Sequence, residues 1–111
     1  MFITVCIYRA RAGEEDAVVA LHEDWQRTQR QKARGYVSGE LLESIEHPRL
    51  FIGITRFESQ EAAQAVTKDP DYVAWFRRVA SLTETEPVLA GYHSAWDDNR
   101  GFAGIRGFAR S

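Results

Sequence analysis

The sequence has a single cysteine, Cys6. An intrachain disulfide is therefore impossible, and zinc sites built from cysteine alone are excluded. No apolar run approaches the roughly 20 residues that a membrane helix needs. The opening stretch, MFITVCIYRARAGEED, has neither the basic start nor the small-residue cleavage site of a secretory signal, so the expected location is the cytoplasm. An excess of one charge is missing too: 14 Lys and Arg stand against 16 Asp and Glu, a net charge of -2. That balance excludes a basic nucleic-acid footprint over the whole domain, and neither nucleic acid nor membrane is an expected partner. Several catalytic motifs are also missing. RARAGEED after the first strand lacks the spacing of a phosphate loop, and there is no HExxH, CxxC or GxSxG. No His/Asp/Glu cluster has metal-ligand spacing, so no metal and no cofactor are expected.

What is present is ordinary globular composition. The chain has 111 residues, 44% of them hydrophobic and 27% charged, which is the size and make-up of one domain. So small a domain buries only about two-thirds of its unfolded surface, and a partner subunit would add stability.

Phe2 to Ala10 (FITVCIYRA) is β-branched and aromatic and is expected to be a strand. Glu14 to about Arg34 is expected to be a helix, with Glu14, Glu15 and Asp16 at its start and Gly35 to stop it. Within it Val18, Leu21, Trp25 and Thr28 recur at helical spacing. Tyr36 to Ser44 and Arg49 to Phe57 are expected to form a hairpin across Ile45 to Pro48. Ser59 caps a short helix over Gln60 to Lys68, and Asp69-Pro70 begins another. In that helix Tyr72, Trp75, Phe76, Val79 and Leu82 form an amphipathic stripe. Pro87 to Trp96 completes the set as a last strand.

The order strand, helix, strand, strand, helix, strand predicts an α+β, ferredoxin-like βαββαβ domain over 1–96, an antiparallel sheet with helices on one face. The first and third strands are apolar on both faces, where a half-solvated sheet would alternate. A second copy covering the open face removes the conflict, which predicts a homodimer through the sheet faces. The tail, 97–111, carries an imperfect duplication, RGFAGI then RGFARS. It is either a mobile terminus or an arm over a pocket or a partner subunit, and its Arg/Gly/Phe composition also suits RNA contact.

The segment Arg56-Phe57-Glu58-Ser59-Gln60-Glu61-Ala62 resembles the aromatic-Glu-Ser-x-x-Ala signature of the antibiotic biosynthesis monooxygenase (ABM) family. The Asp69-Pro70 break, Gly35 and Gly39-Glu40-Leu41-Leu42 fit the same pattern. The resemblance spans roughly residues 2–96 and implies a dimeric α+β barrel. Fold alone does not fix chemistry. Haem-degrading members carry a His and a Trp where this chain has Phe76 and Val66. Members similar to the quinone-forming enzyme of actinorhodin synthesis carry Asn, Trp and Tyr where this chain has Gly53, Phe57 and Ala63. The resemblance implies a cofactor-independent monooxygenase that oxidises an aromatic or polyketide-like small molecule with molecular oxygen in secondary metabolism. A non-oxidative polyketide cyclase or isomerase, or a ligand-binding protein without catalysis, are the alternatives of the same fold.

Cofactor-free oxygenation needs a base, an anion stabiliser and aromatic walls in a dry cleft. His22 is the expected base, since its ordinary pKa of about 6.5 suits proton transfer near neutrality. It shares a helical stripe with Trp25, Gln26 and Gln29. Arg56, at the end of the third strand, is the expected anion stabiliser. Trp25, Tyr72 and Trp75 are expected to stack on a flat substrate, and Tyr36 and Tyr8 to add hydroxyls. His93 on the last strand is expected to be a further substrate contact. Cys6, inside a strand, is expected to be inert packing.

Overall fold

Alternation along the first strand decides which way the sheet faces. The structure, a computed structural model, describes residues 1–98; residues 99–111, which hold most of the Arg/Gly/Phe tail, lie outside the described residues. In β1 (Phe2–Arg9) Thr4, Cys6 and Tyr8 are buried while Ile7 is exposed.

Helix α1 (Glu15–Thr28) opens on Glu15 and Asp16 and buries Val18 and Leu21. It stops well short of Arg34. Arg27, Arg30 and Arg34 would share one helical face, and like charges at that spacing oppose a continued helix. The chain instead takes a 3₁₀ turn over Arg30–Lys32 and reverses at Gly35, whose φ is +79°. A Cβ at Gly35 would lie 2.5 Å from the Ala62 Cβ, so the backbone conformation and the close packing both require glycine.

Strands β2 (Tyr36–Glu43) and β3 (Leu50–Phe57) form the hairpin. The Ser44 hydroxyl closes its turn by accepting the backbone N–H groups of Glu46 and His47. The cap residues act as the sequence predicts. Ser59 accepts from the Ala62 N–H at the start of α2 (Gln60–Lys68), and Asp69 accepts from the Asp71 N–H at the start of α3 (Pro70–Ala80). The last strand, β4 (Val88–His93), is shorter than the expected Pro87 to Trp96. Its His93 pairs with Phe2, the first residue of β1, and beyond that point it has no partner strand.

All neighbouring strands are antiparallel, in the order β2-β3-β1-β4. With the helices on one face this is the α+β ferredoxin-like fold. Register sorts the side chains into rows across the sheet. On the helix side, Tyr8 and Phe51 make a large row at one end. Phe2, Phe57 and Tyr36 make another at the opposite end. The rows between are small at their centres, Cys6–Gly53 flanked by Leu89 and Leu41, and Thr4–Thr55 flanked by Gly91 and Gly39. Large rows at the ends and small rows between leave a hollow under the helices. The core accordingly falls into two clusters, one around Tyr8, Val18, Phe51 and Val79, the other around Phe57, Ala63 and Val66.

The other face carries an all-apolar row, Val88–Ile7–Ile52–Leu42. Val88 is 72% exposed and Ile7 56%. No helix among the described residues is long and apolar enough to cross a membrane.

Candidate active site

The hollow between sheet and helices is a cleft of about 150 Å³. Its floor is Thr4, Cys6 and Tyr8 of β1, with Gly53, Thr55 and Phe57 of β3. Its roof comes from all three helices: His22 and Trp25 of α1, Val66 of α2, and Tyr72, Trp75 and Phe76 of α3. The exposed residues Gln26, Gly39 and Glu40 stand at its mouth.

The roof is a continuous aromatic surface. Trp75 contacts Trp25, Tyr72 and Phe76 at centroid distances of 6.3, 5.6 and 6.5 Å, and the His22 ring meets Trp75 edge-on at 5.0 Å. The Trp75 indole N–H donates to the Leu21 carbonyl at 2.7 Å, which ties α3 to α1. Trp25 continues the surface onto Tyr36 at 5.3 Å. Tyr36 lies along its own strand because Gly39 offers no side chain; a Cβ there would collide with the Tyr36 hydroxyl. That hydroxyl donates to Gln26 Oε1 at 3.4 Å, and Arg30 stacks on the ring at 5.0 Å.

The geometry assigns the His22 tautomer. Its Nδ1 lies 2.9 Å from the Val18 carbonyl, which can only accept, so Nδ1 carries the hydrogen and Nε2 keeps a lone pair. Burial lowers the His22 pKa, and the Val18 hydrogen bond opposes that shift. The imidazole is therefore neutral near pH 7. The thiol and the phenols of the cleft are held protonated. Burial pushes the Cys6 thiol up to about 11. Burial, and then the nearby Cys6, raise the Tyr8 and Tyr72 hydroxyls. Two polar atoms of residues that line the cleft, the Tyr8 hydroxyl and the Trp25 indole N–H, are buried with no hydrogen-bond partner among the described residues.

The expected site residues divide between two faces and two cavities. His22, Trp25, Gln26, Tyr36, Tyr72 and Trp75 line the cleft together. Gln29 does not; it lines an adjoining groove of about 240 Å³ with Lys32, Arg34 and Asp69. Arg56 is not on the lining either. It pairs with Ile3 and Ser38, and strand alternation turns all three to the face opposite the helices. An arginine there does not reach an anion bound beside His22. His93 pairs with Phe2 on the edge strand, is exposed, and lies outside the cleft. Among the described residues neither Lys nor Arg lines the cleft, and Glu40 is its one Asp or Glu. The residues the sequence underweighted are Thr4, Cys6 and Tyr8. The alternation of FITVCIYR already put them on one face with Phe2.

A family model, Antibiotic biosynthesis monooxygenase, matches residues 1–78. The chain belongs to the antibiotic biosynthesis monooxygenase family. Solved structures share the ABM fold at low identity. Rv0793 from Mycobacterium tuberculosis is 19% identical, with a TM-score of 0.72 over 86% of this chain and 96% of that one. A mutant of SnoaB, a cofactor-independent oxygenase from Streptomyces nogalater, is 12% identical, with a TM-score of 0.71 over 86% and 94%. A conserved protein from Methanosarcina mazei is 10% identical, with a TM-score of 0.75 over 84% and 91%. Likeness at these identities is a likeness of fold. No curated protein matches the sequence. In the ABM frame, Val66 and Phe76 are apolar walls of the cleft, while Gly53 leaves its floor open. Among the described residues no group of three or more His, Cys, Asp or Glu is placed to hold a metal ion.

Proposed function

We propose that this chain is a cofactor-independent monooxygenase of ABM type acting on an aromatic or polyketide-like small molecule. The observation that carries the reading is His22. Its Nδ1 is engaged by the Val18 carbonyl, and it sits in an aromatic cleft with its other nitrogen unprotonated. Such a group takes a proton from an activated C–H. The electron pair left on carbon reduces dioxygen. One oxygen atom becomes the product carbonyl and the other leaves as water, receiving the proton held by His22. Thus a CH₂ and O₂ give C=O and H₂O, with the electrons supplied by the substrate. Apolar walls keep bulk water from the carbanion.

The protein acts as a homodimer through the open sheet face, in the cytoplasm. The apolar row Val88–Ile7–Ile52–Leu42 supports the dimer. The free, buried Cys6 suits a reducing compartment.

The test is oxygen uptake by purified protein with anthrones, naphthols and quinols. We expect protein-dependent uptake, reduced about 10²–10⁴-fold in kcat/KM by His22→Ala. Full activity in that variant removes His22 as the base. Turnover at the same rate without oxygen replaces the oxygenase by a cyclase or isomerase. Binding without turnover leaves a ligand-binding protein.

A further inference from the structure

Cations are missing from the lining of the cleft among the described residues, yet two stand on the lining of its neighbour. Trp25, Val66 and Tyr72 line both the cleft and the adjoining groove of about 240 Å³, so the two cavities share a wall. The groove lies where α1 gives way to the 3₁₀ turn. Lys32 and Arg34 line it from that turn and the residues after it, and Asp69 lines it from the start of α3.

Most of the charge there is already matched. The Lys32 ammonium lies 2.9 Å from the Asp71 carboxylate, a bridge that ties the turn to α3. Asp69 accepts the Asp71 backbone N–H at 2.8 Å and sits at the positive end of α3. Arg34 differs. It is exposed, and among the described residues its guanidinium has no hydrogen bond or ion pair. The cleft beside it, about 150 Å³, holds a benzene-sized ring, so the rest of a larger ligand extends out of it. We infer that the groove is a subsite for a single carboxylate, carried on an arm of the ligand whose ring occupies the cleft, with Arg34 its main partner and Lys32 its second. The guanidinium fork is always charged and matches the two oxygens of a carboxylate. One free cation matches one negative charge; the second charge of a phosphate would stand near Asp69 and be repelled. The ligand class is therefore an aromatic ring bearing a carboxylate on a flexible arm. The inference rests on the cleft being a ligand site, which the proposed function assumes.

The test is titration calorimetry on the whole protein with phenylalkanoates from benzoate to 6-phenylhexanoate, each beside its neutral primary amide. At low salt, wild type should bind acid and amide equally for benzoate. With an arm long enough to pass Trp25 and Tyr72, it should prefer the acid about fivefold, which is what one exposed ion pair supplies. The preference should vanish at about 1 M salt, where charges are screened within roughly 3 Å. Arg34→Gln should bring the ratio to about one, with amide affinity unchanged, and Lys32→Gln should lower it in part. Arg27→Gln removes the same charge from a residue outside both cavities and should leave the ratio intact. An acid preference at no arm length overturns the inference, and so does one already complete at benzoate or one that survives Arg34→Gln. Equal loss in Arg27→Gln also overturns it, because the ligand then reads only net charge. A full wild-type ratio in Lys32→Gln removes Lys32 from the subsite. The two readings fail differently. Amides that bind with no acid preference sink the groove and leave the cleft, while binding by neither series sinks the ligand site on which both rest.

Discussion

At the scale of single residues, His22 is the group whose environment matters most. Its pKa is lowered in the folded protein, mainly by burial, so the unfolded chain binds its proton more tightly. Stability linked to this residue is therefore complete above the ordinary pKa of about 6.5 and falls as pH drops below it. Urea midpoints at pH 7.5 and pH 5 should show a larger loss for wild type than for His22→Gln. Equal losses would mean that His22 is not held neutral by burial. The tautomer belongs to the same scale. Only the distance from Nδ1 to the Val18 carbonyl, a contact four residues back on one helix, says which nitrogen is the base.

At the scale of elements, the cleft depends on α1 and α3 staying apart from the sheet at a set height. Trp75 does much of this, through its hydrogen bond to the Leu21 carbonyl and its contacts with Trp25, Tyr72 and Phe76. Trp75→Phe keeps a ring but removes the donor, and should destabilise by about 1–2 kcal/mol in urea unfolding, with the slope unchanged. A loss near zero would show that the two helices are held by apolar packing alone. The stripe Tyr72, Trp75, Phe76 and Val79 was legible in sequence as amphipathic, and so were both caps. The end of α1 was not. No Gly or Pro stands between Thr28 and Gly35, so nothing local marks a stop there, and only the like charges along one face oppose a continued helix.

At the scale of the whole molecule, the sheet has two apolar faces and the helices cover one. Burying exposed Ile7 and Val88 against a second copy is the simplest way to remove that surface from water. Ile7→Lys should therefore yield a folded monomer in sedimentation, with wild-type circular dichroism, where wild type should sediment as a dimer. A monomeric wild type would sink the dimer. Arg56 belongs to this face, beside Ile3 and Ser38. Its assignment to the cleft followed from its place at a strand end, yet which face it occupies depends on the register.

The sequence by itself determined the element order, the caps and the α+β class, because those follow from periodicity, capping chemistry and glycine placement within a few residues of one another. It also determined that His22, Trp25 and Gln26 share a helical stripe. Tertiary structure alone decided that Tyr36, Tyr72 and Trp75 meet them over one cleft while Arg56, His93 and Gln29 do not. It also decided that the Tyr8 hydroxyl and the Trp25 indole N–H are buried with no partner among the described residues. The physical reason is register. A strand side chain points to one face or the other, and which cleft it reaches depends on pairings between strands distant in the chain. The hollow itself arises where small residues of the two central strands, Cys6 and Gly53, Thr4 and Thr55, meet across the sheet, a juxtaposition no local stretch of sequence contains.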